Sequence, residues 1–260
     1  MPDTASPPVT RERLVADLRA LGLADGDRVL VHSSLSSIGY VEGGPETVIQ
    51  ALLAVLGPAG TLVAPSFQKG SEHVLTRQGV RFDVRTSPSE MGAISEALRT
   101  WPGAVRSLSP THCLAALGAG AAELLAGHEG CRVSVGHGSP FERLVQGGGR
   151  ILLLGVGHGS NTTVHYVENT GGAPTVCRES FDAVVIDRDG REIVVPTHPH
   201  MPGLKRRYER AEEVLLAAGA QRTGVVGKAT ARLVDAGRMD ALLRDRLRHD
   251  PLFLIEVFTP

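Results

Sequence analysis

His165 and Glu168 lie three residues apart within residues 155–168 (GVGHGSNTTVHYVE). On a helix that spacing puts both side chains on one face. A carboxylate beside an imidazole fixes its tautomer and raises its basicity, which suits a general base. The same spacing is half of a di-metal helix motif, but the sequence holds no second copy. Residues 33–44 (SSLSSIGYVEGG) offer a different chemistry, with serines and glycines crowded together. Small residues let backbone N–H groups approach an anion, and serine hydroxyls add donors. A helix N-terminus that follows favours negative charge. No GKS or GKT triplet is present, so this reads as a pyrophosphate cradle and not an NTP-hydrolase loop. The same composition also describes an ordinary serine- and glycine-rich loop.

The other candidates are weaker. His137, in residues 136–141 (GHGSPF), sits in a loop before a proline-started helix and is a candidate ligand contact. His198 and His200 flank a proline with no cysteine or third ligand close in sequence, and read as a solvated loop. His112 and Cys113 suggest a thiolate–imidazole couple, but adjacent side chains commonly point apart, so a packed pair is expected. Lys205, Arg206 and Arg207 read as a solvated helix face.

These residues need elements to position them. Thr10, Glu12, Leu14, Leu18 and Leu21 mark a capped amphipathic helix ended by Gly22. Residues 27–32 (DRVLVH) form a strand candidate, residues 45–56 a helix and residues 61–64 a second strand. That order is a βαβ unit, hence a parallel pair with a right-handed crossover. Residues 66–89 lack periodicity and read as a surface excursion. Helices are expected near 90–100, 119–127 and 140–145. Residues 150–156 (RILLLGV) are almost wholly apolar, as in a strand covered on both faces. Asn161 is placed to cap the helix that follows. Residues 181–187 and 192–195 flank Arg188, Asp189 and Gly190, a hairpin signal. Long helices are expected over 203–218 and 228–246, and a closing strand over 252–257. The expectation is one α/β domain, residues 1–260, with a hairpin-plus-helix lobe at about 178–225.

The totals exclude several classes. With 27 basic and 28 acidic residues the net charge is −1, which gives no field for gathering nucleic acid or an anionic membrane. The 3 cysteines are far apart and odd in number, so free thiols are expected and not a disulfide framework. No apolar run approaches the ~20 residues of a spanning helix. Residues 1–10 lack the apolar stretch of a signal peptide, so a cytoplasmic chain is expected.

Taken together, residues 31–44, 60–67, 82–118, 139–168 and 227–253 resemble, in order, the segments of the antibiotic N-acetyltransferase family, best known as aminoglycoside 3-N-acetyltransferases. The resemblance implies a mixed sheet flanked by helices, a fold of that family's own and not the smaller GNAT fold. It implies acetyl-CoA as co-substrate, no metal, and a small-molecule amine acceptor, the 3-amino group of a 2-deoxystreptamine compound. Ser33, Ser34, Leu35, Ser36, Ser37 and Gly39 match the family's coenzyme A loop, and Arg106 and Ser107 an Arg-Ser pair near the cofactor. His165 matches the catalytic histidine and Glu168 the carboxylate after it. Asp83, His137 and His200 are the expected substrate contacts, with Glu72 and Glu90 as further acidic partners. Two departures stand out: Ser109 replaces a customary histidine before Pro110, and residues 195–208 are basic where drug-modifying members are acidic. That leaves a non-aminoglycoside amine as the alternative acceptor. The rival classes are a coenzyme A-binding sensor without turnover and a metal-dependent hydrolase using His137, His165 and His198.

Overall fold

The computed structural model describes residues 7–256. Thr10 caps helix α1 (Arg11–Leu21) by accepting the Arg13 N–H, and Leu14, Leu18 and Leu21 bury its apolar stripe. Strand β1 (Arg28–Ser33) has four consecutive buried residues, as a strand covered on both faces requires. The single turn α2 (Leu35–Ile38) and helix α3 (Gly44–Leu56) carry the chain to β2 (Thr61–Pro65). β2 runs parallel to β1, with Val29 opposite Leu62, so the expected crossover unit is present.

The excursion after β2 contains α4 (Glu72–Arg77) and β3 (Arg81–Asp83) and leads to α5 (Ala93–Arg99) and β4 (Val105–Arg106). β5 (Leu114–Gly118) then returns antiparallel to β2. Helices α6 (Ala121–Leu125) and α7 (Pro140–Gln146) precede β6 (Arg150–Leu154), which lies parallel to β1 on the side away from β2. Helix α8 (Thr163–Thr170) follows. β7 (Phe181–Ile186) and β8 (Glu192–Thr197) form the expected hairpin, and β3 joins it as a third, parallel strand. Helix α9 (Glu209–Ala217), β9 (Gln221–Val226), β10 (Ala229–Asp235) and α10 (Ala236–His249) complete the chain.

The larger sheet has the order β4-β5-β2-β1-β6-β10-β9. Val29 and Val31 pack toward α1, α3 and α5, whereas Leu30 packs toward α7, α8 and α10. The result is a mixed sheet flanked by helices on both faces. β1 lies between two parallel neighbours, and the helix after it covers one face while the helix after β6 covers the other. Such a switch opens a crevice at the carboxyl ends of the strands.

Several expectations fail in the last third. Residues 203–208 are not helical: Gly203 turns the chain at φ 76° and α9 starts only at Glu209. Residues 229–235 are a strand and not the start of a long helix, since their burial follows a sheet and Asp235 caps α10 by accepting the Arg238 N–H. β5 and β9 are strands that the sequence pattern does not announce. The closing strand expected at 252–257 runs into residues outside the described range, and within that range Ile255 makes only an isolated bridge to Arg206. No helix of the described residues is long and apolar enough to cross a membrane.

Candidate active site

Helix α8 begins just past the carboxyl end of β6, and its first turn brings His165 to the crevice beside β1. A cavity of about 280 Å³ opens there, lined by His165, His112, His32, Ser33, Phe67 and Thr162 among others. Glu168, one turn further along α8, is fully buried. Its Oε2 accepts the Tyr208 hydroxyl at 2.5 Å and lies 3.2 Å from His165 Nδ1 and 3.3 Å from Arg206 Nε.

Proton bookkeeping fixes the histidine's tautomer. A carboxylate can only accept, so the 3.2 Å approach of Glu168 Oε2 places the ring proton on Nδ1, while Tyr208 Oη lies against the ring at 2.8 Å from Nδ1 and 3.5 Å from Nε2. Nε2 is then left as the lone-pair nitrogen. Burial and the neighbouring His200 push the His165 pKa down to about 4 against the opposing pull of Glu168. His165 is therefore a neutral imidazole near pH 7. Burial opposes the charge on Glu168, but His165, Arg206 and Tyr208 hold its carboxyl below the usual range.

A second carboxylate stands on the other side of His200. The imidazoles of His165 and His200 lie 4.3 Å apart between ring centres, and His200 meets His112 edge-on at 5.3 Å. Glu72 of α4 sits behind the rings of His200 and His112. Its Oε2 accepts the His200 backbone N–H at 2.8 Å and lies 2.6 Å from His200 Nδ1. Its Oε1 accepts the Thr111 hydroxyl at 2.7 Å and the Ser134 hydroxyl, and lies 3.2 Å from His112 Nδ1. Burial disfavours its charge, yet His112 and His200 bring the carboxyl well below the ordinary value.

The Glu72, His112 and His200 ligand atoms all lie within 4.8 Å of one another, a spacing compatible with a metal ion. Hydrogen bonding opposes that use. Asn169 Nδ2 donates to the Val135 carbonyl, which can only accept, so the same NH₂ group also donates to His200 Nε2, both at 2.9 Å. With Nε2 accepting, the His200 proton resides on Nδ1 and points at Glu72. A metal on Nδ1 would displace that proton and face the Asn169 NH₂ with an Nε2–H.

The serine loop borders the same crevice. Ser33 lines the cavity, and the Ser34 hydroxyl bonds those of Ser36 and Ser37 at 3.2 and 2.9 Å. Leu35 packs on the core beneath. Gly155, at the end of β6, has φ 72°, and a Cβ there would meet Ser37 Cβ at 2.5 Å. Only glycine permits this approach of strand to loop. The stem of Lys228 packs over Gly39, and Lys228 has no ion-pair partner among the described residues.

Other expected contacts lie elsewhere. Arg106 donates to the carbonyls of Val84, Ser87 and Ser66 and stacks on Phe82, a clamp between the two sheets. Ser107 bonds the Leu114 N–H and the buried His128, whose Nε2 donates to the Ser134 carbonyl at 2.7 Å. Neither side chain borders the cavity; Ser107 supports the wall that carries Ser134. Asp83 is held by Arg85, which brings its carboxyl down to about 2. His137 is exposed and bonds Glu142 at 2.7 Å. His137, His165 and His198 form no common cluster among the described residues, so the trio that a metal-dependent hydrolase would need is not assembled.

The structure also brings in residues with no local sequence signal. His112, expected as a packed neighbour of Cys113, faces the cavity; Glu72 anchors its rear; Tyr208 and Arg206 complete the Glu168 cluster. The basic run 205–207 is not a free helix face: Arg206 points to Glu168, while Lys205 and Arg207 pair with Glu256 at 2.6 and 3.4 Å. No spacing marks these partners, because they come from segments far apart in sequence.

Residues 30–248 match the family model described as aminoglycoside 3-N-acetyltransferase. Aminoglycoside N(3)-acetyltransferase VII of Streptomyces paromomycinus is 37% identical over 255 residues, 88% of each chain. AAC-IIIb, solved as a binary complex with CoASH, superposes with a TM-score of 0.82 at 30% identity, covering 98% of this chain and 100% of that one. A histidine-to-alanine variant of the aminoglycoside acetyltransferase AAC(3)-IVa, in complex with a gentamicin, gives a TM-score of 0.85 at 30% identity over 98% and 94% of the two chains.

Proposed function

Because the chain belongs to the aminoglycoside 3-N-acetyltransferase family and is an acyltransferase of that kind, we propose that it moves the acetyl group of acetyl-CoA to the 3-amino group of a 2-deoxystreptamine aminoglycoside, with His165 as general base. The observation that carries this reading is the orientation of His165. Its Nδ1 faces Glu168, its Nε2 has only a long 3.5 Å contact with the Tyr208 hydroxyl, its ring borders the cavity, and its low pKa keeps it neutral. Such a nitrogen accepts a proton from an amine as that amine attacks the thioester carbonyl. Glu168 then faces the imidazolium and stabilises it.

Direct attack is favoured over an acyl-enzyme. Cys113 is buried with its thiol pKa raised by desolvation, and no cysteine borders the cavity. The serine hydroxyls of residues 33–37 and the cation of Lys228 suit the pyrophosphate of coenzyme A. Binding of CoASH by the relative AAC-IIIb supports that use. The gentamicin complex of AAC(3)-IVa supports an aminoglycoside acceptor. The carboxylates around residues 205–207 also remove the objection that a basic stretch would repel a polycation.

The test is thiol release from acetyl-CoA across apramycin, gentamicin, neomycin and simple polyamines. Rapid release with a 2-deoxystreptamine compound, abolished in His165→Ala, is the expected result. Coenzyme A binding without turnover on any aminoglycoside would sink the acceptor assignment.

A further inference from the structure

An aliphatic amine with a pKa near ~10 is ammonium at neutral pH and has no lone pair to attack with. Two protons must leave the nitrogen before an amide forms: one ahead of the attack, one as the C–N bond forms. The dyad of His165 and Glu168 accounts for one of them. The same cavity holds a second imidazole backed by a carboxylate. Ser134 and Thr111 give their hydroxyl protons to Glu72, so the contact of His112 Nδ1 with Ser134 Oγ, at 2.9 Å, is donated by an Nδ1–H. His112 Nε2 is then an acceptor, it has no hydrogen-bond partner among the described residues, and the ring lines the cavity.

We propose that His112, oriented by Glu72, is a second acid–base residue of this site and takes the first proton from the substrate's ammonium group. The proposal rests on the acetyl-transfer reading above. One proton passes from the ammonium nitrogen to His112 Nε2 and from there to solvent. The neutral amine attacks the thioester carbon; the C–N bond forms, the C–S bond breaks, and the second proton passes through His165 Nε2 to the departing sulfur. Ammonium and thioester become amide, thiol and one solvated proton.

The surroundings suit this division. All the donors on Glu72 are hydroxyls, imidazoles or a backbone amide, with no arginine or lysine among them. Its negative charge is left to draw an ammonium group and to stabilise an imidazolium at His112. His200 cannot take the proton in its place, since its Nε2 is already capped by Asn169. The titratable groups that face His112 are Glu72 from α4, His200 after β8, His165 from α8 and His128 across Ser134.

The experiment compares kcat/KM for an aminoglycoside acceptor in wild type, His112→Asn and His165→Asn from about pH 6 to about pH 9. Asparagine at 112 keeps a donor for Glu72 and removes Nε2. The expected loss in His112→Asn is about 10²-fold at the acid end, within the usual span for acid–base help. It shrinks as pH rises, because more of the amine then arrives already neutral. His165→Asn should lose its factor at every pH. An unchanged rate in His112→Asn, or a loss that is the same at all pH values, overturns the proposal. Coenzyme A affinity checks that the variant is folded, and Glu72→Gln, which weakens the same dyad from behind, must reproduce the pH-dependent loss. Absence of turnover by the wild-type protein on any amine would instead overturn the acetyl-transfer reading itself.

Discussion

Two carboxylate-backed imidazoles face one cavity and differ in what lies behind the carboxylate. Glu168 is approached by Arg206 at 3.3 Å, so its charge is matched inside the protein. Glu72 is surrounded by hydroxyls, imidazoles and one backbone amide, and its charge is unmatched. Both are buried, and burial alone would push both toward the neutral acid. The first arrangement leaves His165 beside a carboxylate whose charge is already matched. The second leaves a negative field beside the cavity in which the cationic acceptor is proposed to bind.

The largest expected effect comes from the first dyad. His165→Ala should slow acetyl transfer by about 10²–10⁴-fold. Coenzyme A affinity, measured by calorimetry, should stay near wild type; an equal loss of both would mean that His165 holds the cofactor. The second dyad is tested by the pH-resolved loss in His112→Asn. Tyr208→Phe comes next, since it removes the hydroxyl joining His165 to Glu168. A buried hydrogen bond of this kind is worth about 1.5 kcal/mol, or roughly 10-fold in kcat. An unchanged kcat would show that Glu168 orients His165 unaided.

Acid stability depends on buried histidines inside and outside the dyads, since His32 and His128, like His165, are kept neutral chiefly by burial. His32 is pushed to about 3 by burial and by His158, and His128 to about 4, mainly by burial. An unfolded imidazole has a pKa of about 6.5. Below that value the unfolded chain binds protons that the folded chain refuses, so stability falls as pH falls; above it these groups have no effect. Each contributes a slope of up to about 1.4 kcal/mol per pH unit between about pH 6.5 and its folded pKa. Melting temperature should therefore drop steeply between about pH 6 and about pH 4, and the drop should be shallower in His128→Asn. The smallest effects belong to residues outside both dyads. Asp83→Asn and His137→Gln should leave the acceptor KM within about twofold, as surface groups held by local partners usually do. A tenfold change at either would move the acceptor's path toward α7 or the smaller sheet.

Much of the first dyad is legible in the chain alone. The three-residue spacing of His165 and Glu168, set on a helix after an apolar strand and a glycine-rich turn, is a local pattern, and α8 bears it out. The βαβ unit, the hairpin around Gly190, the cap at Thr10 and the Asn161 side chain that accepts the Thr163 N–H follow from equally local rules. Residues 203–208 and 229–235 escape such rules for a physical reason. At 203–208 the left-handed turn at Gly203 and the bridge of Arg206 to Ile255 hold the chain out of a helix until Glu209. Residues 229–235 (ATARLVD) lack a clear strand alternation and are held as a strand by β6 and β9, which offer hydrogen bonds on both sides.

The amino-acid sequence by itself determined the central parallel strands, the serine loop at their ends and the face shared by His165 and Glu168, because periodicity and turn chemistry act over a few residues. The tertiary structure alone decided the rest of the site. Glu72, His112, His200, Arg206 and Tyr208 come from well-separated parts of the chain and meet only because the sheet's order brings those parts to one crevice. Burial and mutual hydrogen bonding there select the tautomers and protonation states on which the chemistry depends, and no spacing in a single chain segment encodes them.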